Sequence, residues 1–191
     1  MGKQKTYKRI LEYSRNIFFE VGYSKVSMDE LVHEIGMSKA TLYRYYSSKE
    51  ELFEAVVDDF FDEIEEEIYH ILNTNLSSDA IIEKFIYTMS KRLSIIDPNA
   101  AYDIEKSTPL LFKKFLERRK IAILDNLVNI LENGKKEGIY RSDISSIIVA
   151  NIILASIDQL TKKEFVINNE FSYSDIFGSV ISTVIDGYKL R

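Results

Sequence analysis

The sequence predicts an all-α fold, and three observations carry that prediction. Only two prolines and seven glycines interrupt 191 residues, so long helices are permitted almost everywhere and an all-β arrangement is disfavoured. Apolar residues recur at intervals of three and four along most of the chain, the period of one helical face. Ser or Thr stands just before several of these runs, twice with Glu three residues on, an arrangement that closes the open N–H groups of a helix start. Together these signals give about nine helices.

The first helix is expected from about Thr6 to Val21, with Ile10, Tyr13, Ile17 and Val21 in one row and Leu11 and Phe18 beside it. Gly22 stops it, and Tyr23 is placed to fold back onto its last turn. In "VSMDELVHEIG", Ser27 with Glu30 forms a capping box, Leu31, Val32 and Ile35 make the buried face, and Gly36 ends the segment after two turns. A third helix follows at once, capped by Ser38 with "KATLYRYY" as its body; two short helices joined by a glycine turn are a helix-turn-helix candidate. Ser48 with Glu51 reads as a second capping box, opening a long helix to about Leu72 on Leu52, Phe53, Val56, Phe60, Ile64, Ile68 and Ile71. Its other face carries "DDFFDEIEEE", seven acids in ten residues, expected to be solvated and turned away from any nucleic acid.

Five further helices are expected: about Ala80 to Ile95, a short one to Lys106 after the break at "DPNAA", one opened by Thr108 and Pro109 and running through Leu131 toward Gly138, then about Asp143 to Lys162 and Ser174 to Lys189. The segment "KKEFVINNEFSY" between the last two reads as a polar loop.

Composition removes several function classes. There is no Cys, so disulfides, thiolate metal sites and cysteine nucleophiles are excluded. The two histidines, His33 and His70, are far apart and have no second ligand at metal spacing, so no metal or other cofactor is expected, and no catalytic residue. The N-terminus is basic without an apolar signal core, and no run approaches the ~18 apolar residues of a membrane span, which predicts a cytoplasmic protein without membrane contact. Charge is uneven: residues 1–50 hold nine Lys/Arg against six Asp/Glu, while the whole chain carries a formal charge of −5. A basic end on an acidic protein suits contact with phosphates, which respond to the local patch rather than to the total.

Residues 10–54, "ILEYSRNIFFEVGYSKVSMDELVHEIGMSKATLYRYYSSKEELFE", resemble the DNA-binding domain of the tetracycline-repressor (TetR) family of bacterial regulators. The resemblance rests on Phe18, Gly22, Tyr23, Ser27, Leu31, Gly36, Ser38, Thr41, Leu42, Tyr43, Tyr46, Lys49 and Leu52 in the family order and spacing. It departs at Val32 and Ile35, where the family usually has Ala, so the two short helices are expected to pack at a slightly altered distance or angle. The resemblance implies an N-terminal three-helix helix-turn-helix domain, residues 1–48, joined by the long helix to a C-terminal helical effector-binding and dimerisation domain, residues 49–191.

A recognition helix lies in the major groove with its N-terminal residues at base edges, while flanking groups hold phosphates. Lys39, Ala40, Thr41 and Arg44 are therefore the candidate base readers, through ammonium or guanidinium to guanine and methyl groups to thymine. Tyr43 and Tyr45 are long enough to bring a hydroxyl to a phosphate, and the resemblance implies that role for Tyr43; Leu42 and Tyr46 should be core. Lys49, at a helix N-terminus, is a candidate phosphate clamp. Ser27 and Ser38 are caps first and candidates for a second role at phosphates, and Lys3, Lys5 and Lys8 are a candidate basic arm.

In the C-terminal half, "SDISSIIVANIILASIDQL" is apolar nearly all round, more than one small core can bury. With the last helix it suggests half of an intersubunit four-helix bundle, the dimer mode the resemblance implies, with Ile148, Ile152, Ala155, Phe177, Val180, Ile181 and Val184 at the interface. Phe85, Tyr87, Met89, Tyr102, Phe112 and Phe115 are candidates to line a pocket for a small-molecule effector or to fill the core, with Asp103, Glu105 and Lys106 as polar residues nearby. The reading is a homodimeric regulator, a repressor on family grounds, that binds a palindromic double-stranded DNA operator and is released by an effector. A ligand-independent architectural protein using the same reading head is the open alternative.

Overall fold

The computed structural model describes residues 2–190, with side chains from residue 4 onward, and they form ten helices. These are α1 (Gly2–Val21), α2 (Met28–Ile35), α3 (Lys39–Tyr45), α4 (Lys49–Leu72), α5 (Ser78–Leu93), α6 (Pro98–Ser107), α7 (Pro109–Lys136), α8 (Ser146–Leu160), α9 (Lys163–Asn169) and α10 (Tyr173–Tyr188). The chain divides into two compact units, Met1–Glu63 with Ile95–Phe115, and Ile64–Ser94 with Leu116–Arg191. Both α4 and α7 supply residues to each unit. The α6 segment, expected as part of the sensor, falls within the unit that contains the helix-turn-helix.

Most helix boundaries follow from local capping chemistry. Ser27 accepts from the Glu30 amide and Glu30 reaches back to the Ser27 amide at 2.6 Å, completing the expected box. Gly36 closes α2 in the left-handed region, φ 69°, as does Gly138 after α7, φ 74°. The box expected at Ser48 is altered: Ser48 Oγ accepts from the Glu51 amide at 3.1 Å, but the Glu51 carboxylate turns to the amide and hydroxyl of Ser47, at 2.7 and 2.6 Å. Those hydrogen bonds hold the Glu51 carboxyl below its ordinary range.

In the first unit α1 begins at Gly2, earlier than the expected Thr6, so the segment of Lys5 and Lys8 is helix rather than a flexible arm; the Lys3 side chain lies outside the described residues. The buried face of α1 is also rotated from the expected one. Tyr13 and Val21 are exposed, and Ile10, Leu11, Ser14, Phe18 and Phe19 turn inward. The row Ile10, Ser14, Phe18 keeps the four-residue period, and the small Ser14 admits close approach of its neighbours. Phe18 meets Phe53 edge-on at 5.1 Å and Tyr23 stacks against it at 6.0 Å, so the residue expected to fold back does so. Phe19 packs on Phe60 at 5.1 Å and Phe61 on Phe115 at 5.0 Å, extending this core along α4 to the first turns of α7.

The acidic face of α4 is an ion-paired face rather than a merely solvated one. Within the first unit Arg15 reaches Glu63 at 2.7 Å and Asp59 at 3.8 Å, and Lys114 reaches Glu54 at 2.8 Å and Asp58 at 3.3 Å. Within the second, Arg92 meets Glu67 at 2.6 Å and Arg118 meets Glu65 at 2.7 Å.

In the second unit α10 packs on α5 and α8 around Phe85, Phe177 and Ile181. Tyr140 stacks on Tyr188 at 5.6 Å, and the strand-like pair Tyr140 and Lys189 joins the segment after α7 to the chain beyond α10. The predicted loop at 162–173 instead contains α9. Lys162 opens it, Val166 is buried beneath it, Glu170 takes a left-handed φ of 56° to close it, and Phe165 stacks on Phe171 at 5.9 Å. Among the described residues no helix is long and apolar enough to cross a membrane, and no cluster of His or acidic side chains is placed to hold a metal.

Candidate nucleic-acid interface

The outer face of α3, the candidate for reading DNA, is built by turning one side of a two-turn helix inward. In α3, Leu42 is fully buried, and Tyr46 just past its end is buried with its ring 6.1 Å from that of Tyr7. That anchoring leaves Lys39, Ala40, Tyr43 and Arg44 exposed, with Thr41 and Tyr45 half-buried at the margins. Ser38 fixes the start: its hydroxyl oxygen accepts from the Thr41 amide at 3.2 Å and lies 2.8 Å from Thr41 Oγ1. Ser27 and Ser38 are both exposed while serving as caps.

Lys39 is engaged before any partner arrives. Its ammonium lies 2.7 Å from Asp29 Oδ1 on α2 and 5.9 Å from the centre of the Tyr43 ring, and the hydrogen bond to Asp29 raises its pKa above the usual lysine range. Both members of the pair are exposed, where water and salt compete with the interaction, so exchanging the carboxylate for a phosphate or a base edge costs little.

Arg9, which sequence reasoning did not single out, holds the turn between the two short helices. Its guanidinium donates to the Ile35 carbonyl, one of the open acceptors at the end of α2, and lies against Gly36. A Cβ at Gly36 would stand 3.3 Å from Arg9 Nη2, so the glycine serves both the left-handed turn and this approach. No local signal marks Arg9, because its acceptor is 26 residues away.

Lys49 departs most from the sequence reading. Instead of standing free as a phosphate clamp, its ammonium turns inward and donates to the carbonyls of Tyr23 at 3.0 Å and Val26 at 2.8 Å, 4.2 Å from the centre of the Tyr23 ring. Partial burial lowers its pKa, which marks an ammonium partly withdrawn from solvent. Two carbonyl acceptors and an aromatic face satisfy it where it is, so Lys49 is a staple between the start of α4 and the turn after α1.

The residues expected to line an effector pocket or a dimer interface lie in differing surroundings. Phe85 and Met89 are core residues of the second unit and Tyr87 is 71% exposed, whereas Tyr102, Phe112 and Phe115 belong to the first unit. The six therefore do not converge within either unit, and Tyr87 lines no interior. Asp103 bonds the Ser24 amide and hydroxyl instead of standing free for a ligand. Among the interface candidates, Ile148, Ile152 and Ala155 on α8 are exposed and Val184 is half-buried. Phe177, Val180 and Ile181 are buried in the core of their own unit, where Phe177 meets Phe85 at 6.1 Å.

Comparison with known proteins finds likenesses to bacterial transcriptional regulators. Residues 10–56 match the bacterial regulatory proteins of the tetR family. The HTH-type transcriptional regulator YvaF of Bacillus subtilis is 26% identical over 94% of this chain and 94% of its own length. The biofilm operon negative transcriptional regulator IcaR of Staphylococcus epidermidis is 26% identical over 44% of this chain and 47% of its own. Among solved structures, a transcriptional regulator from Cytophaga hutchinsonii superposes with a TM-score of 0.73 at 20% identity, covering 96% of this chain and 98% of that one.

Proposed function

We propose that this chain is a regulator of the tetR family that binds DNA to control transcription, as a homodimeric repressor on a palindromic operator, released by a small-molecule effector; the match of residues 10–56 to that family supports the reading. The observation that carries the reading is the division of α3: Leu42 and Tyr46 buried, with Lys39, Ala40, Tyr43 and Arg44 presented together on the outside. A short helix so anchored offers a cation, a methyl, a phenol and a guanidinium, the groups that read base edges and phosphates in a major groove. In this assignment Lys39, Ala40, Thr41 and Arg44 address bases, and Tyr43, with Ser27, Ser38 and Tyr45 at the margins, addresses phosphates. No catalytic step is assigned to the protein, and work on the chromosome goes with a cytoplasmic location.

For the dimer, Ile147, Ile148 and Ile152 are 60%, 56% and 48% exposed on α8. With Ala155 they make an apolar face that the second unit itself does not cover, and an isologous contact with the same face of a second copy covers it. The effector acts by binding one arrangement of the dimer better than the other, which shifts the fraction able to span both half-sites.

The test is binding to duplex DNA from the upstream region of the protein's own gene across a series of salt concentrations. The proposal predicts protection of a two-fold symmetric site and a steep linear fall of log affinity with log salt. Equal affinity for every sequence at every salt would reject it.

A further inference from the structure

The turn between α1 and α2 is held from two sides by residues far away in sequence. From one side Lys49 donates to the carbonyls of Tyr23 and Val26. From the other, the carboxylate of Asp103 on α6 accepts from the Ser24 amide at 2.6 Å and from the Ser24 hydroxyl. Gly22 makes room for it: a Cβ there would stand 2.8 Å from Asp103 Oδ2 and 3.1 Å from its Cβ and Cγ, and the backbone has φ 107°. Just before α6, the Asp97 amide donates to the Phe19 carbonyl at 2.9 Å, tying the end of α1 to the start of the same helix. The turn leads directly into Ser27, the cap of α2, and α2 carries the Asp29 partner of Lys39 and the Ile35 carbonyl that holds Arg9. Displacing Ser24 therefore displaces the element on which α3 is seated.

We propose that Asp103 is a positioning residue for DNA reading: by fixing Ser24 it sets where α2 and α3 present the reading side chains, without touching DNA itself. This rests on the regulator reading above and adds a residue to it. The hydrogen bonds from Ser24 outweigh burial and hold the carboxyl below its ordinary range, so it is ionised when the protein works. A carboxylate near a phosphate backbone repels it, so a purely electrostatic role and a positioning role predict opposite signs on removal.

The experiment compares the full-length wild type with Asp103→Ala, Asp103→Asn and Ser24→Ala, measuring affinity for the selected operator and for a non-specific duplex at several salt concentrations, alongside thermal melting. For Asp103→Ala the expected result is an operator affinity lower by about tenfold, the scale of removing one charge-assisted hydrogen bond from a pre-set loop. Non-specific affinity and salt slope should stay unchanged, since every phosphate partner is still in place. Asp103→Asn, which keeps an acceptor for the Ser24 amide, should recover most of the affinity, and Ser24→Ala should weaken binding about two- to threefold. Operator affinity unchanged in Asp103→Ala, affinity raised by removal of the negative charge, or equal weakening on specific and non-specific DNA would each overturn the assignment. Melting of Asp103→Asn guards against simple misfolding, because its isosteric amide leaves the packing intact. A wild type that selects no sequence overturns the regulator reading itself, a result distinct from failure of Asp103 alone.

Discussion

The outer face of α3 and the outer face of α8 are both exposed, and they mean opposite things. On α3 the exposed side chains are the donors Lys39, Tyr43 and Arg44 beside the small Ala40, and the large apolar Leu42 is inside, the ordinary economy of a surface turned to a specific use by the choice of donors. On α8 three isoleucines, Ile147, Ile148 and Ile152, stand exposed, although the unit also buries Val149, Ala150, Ile153, Leu154 and Ile157 on the same helix. A face of donors predicts a partner that is charged and patterned; a face of isoleucines predicts one that is apolar and shaped. One chain thus presents two recognition chemistries, and in the proposed dimer DNA reading by the first depends on pairing through the second.

Disabling the α8 face should have the largest effect. Ile148→Glu with Ile152→Glu is expected to give a monomer in sedimentation and to cost roughly 10²- to 10⁴-fold in operator affinity, because two half-sites are no longer linked. The fold should persist, because both positions are exposed. On α3, Arg44→Ala is expected to cost about 1–3 kcal/mol in specific binding and to relax sequence preference at one position per half-site, read by selection on variant operators.

Lys49 separates a residue that touches DNA from one that supports the reading face. A phosphate clamp predicts that Lys49→Ala lowers the salt slope by roughly one unit for each phosphate it no longer neutralises. The inward staple predicts instead an unchanged slope, a decrease of about 1–2 kcal/mol in thermal or urea stability from two ammonium-to-carbonyl bonds, and a weaker operator complex. Smaller again is Tyr43→Phe, which removes one exposed hydroxyl and is expected to cost roughly 0.5–1.5 kcal/mol in DNA affinity with the melting curve unchanged.

The smallest effect is a pH dependence. The folded pKa of Asp103 lies below its ordinary value, so its hold on Ser24 is fully present above the unfolded carboxyl value of 3.8 and is lost as pH falls through the lower folded value. Operator affinity near neutrality should therefore be flat with respect to this group, and the difference in stability between wild type and Asp103→Ala should vanish only below about pH 4.

What the sequence disclosed follows the range of the interactions concerned. The capping box at Ser27, the αL glycine at Gly36, the Ser38 cap and the burial of Leu42 and Tyr46 depend on neighbours within a few residues, and each was legible. The rotation of the α1 face was not, because Tyr13 and Val21 fit the helical period as well as Ser14 and Phe19 do, and only packing chooses between the rows. The α9 segment was missed because seven residues with two asparagines and one buried valine carry almost no periodic signal. Lys49 could be placed at a helix start, but its direction is set by carbonyls 23 and 26 residues away. Asp103 was visible as a polar residue near a supposed pocket, and its bond to Ser24, 79 residues distant, has no counterpart in local pattern. The acidic run on α4 was legible as a face but not as a paired one, since Arg15, Lys114, Arg92 and Arg118 come from three other helices.

Whether two copies joined through α8 read one symmetric site through α3 is decided by selecting bound sequences from a random duplex pool, with the wild type run beside the Ile148→Glu, Ile152→Glu variant. The wild type is expected to enrich a two-fold symmetric site with half-sites about one or more helical turns apart, and the variant at most a single half-site. Enrichment of no sequence by the wild type, or of the same complete palindrome by both proteins, would contradict the paired reading of DNA.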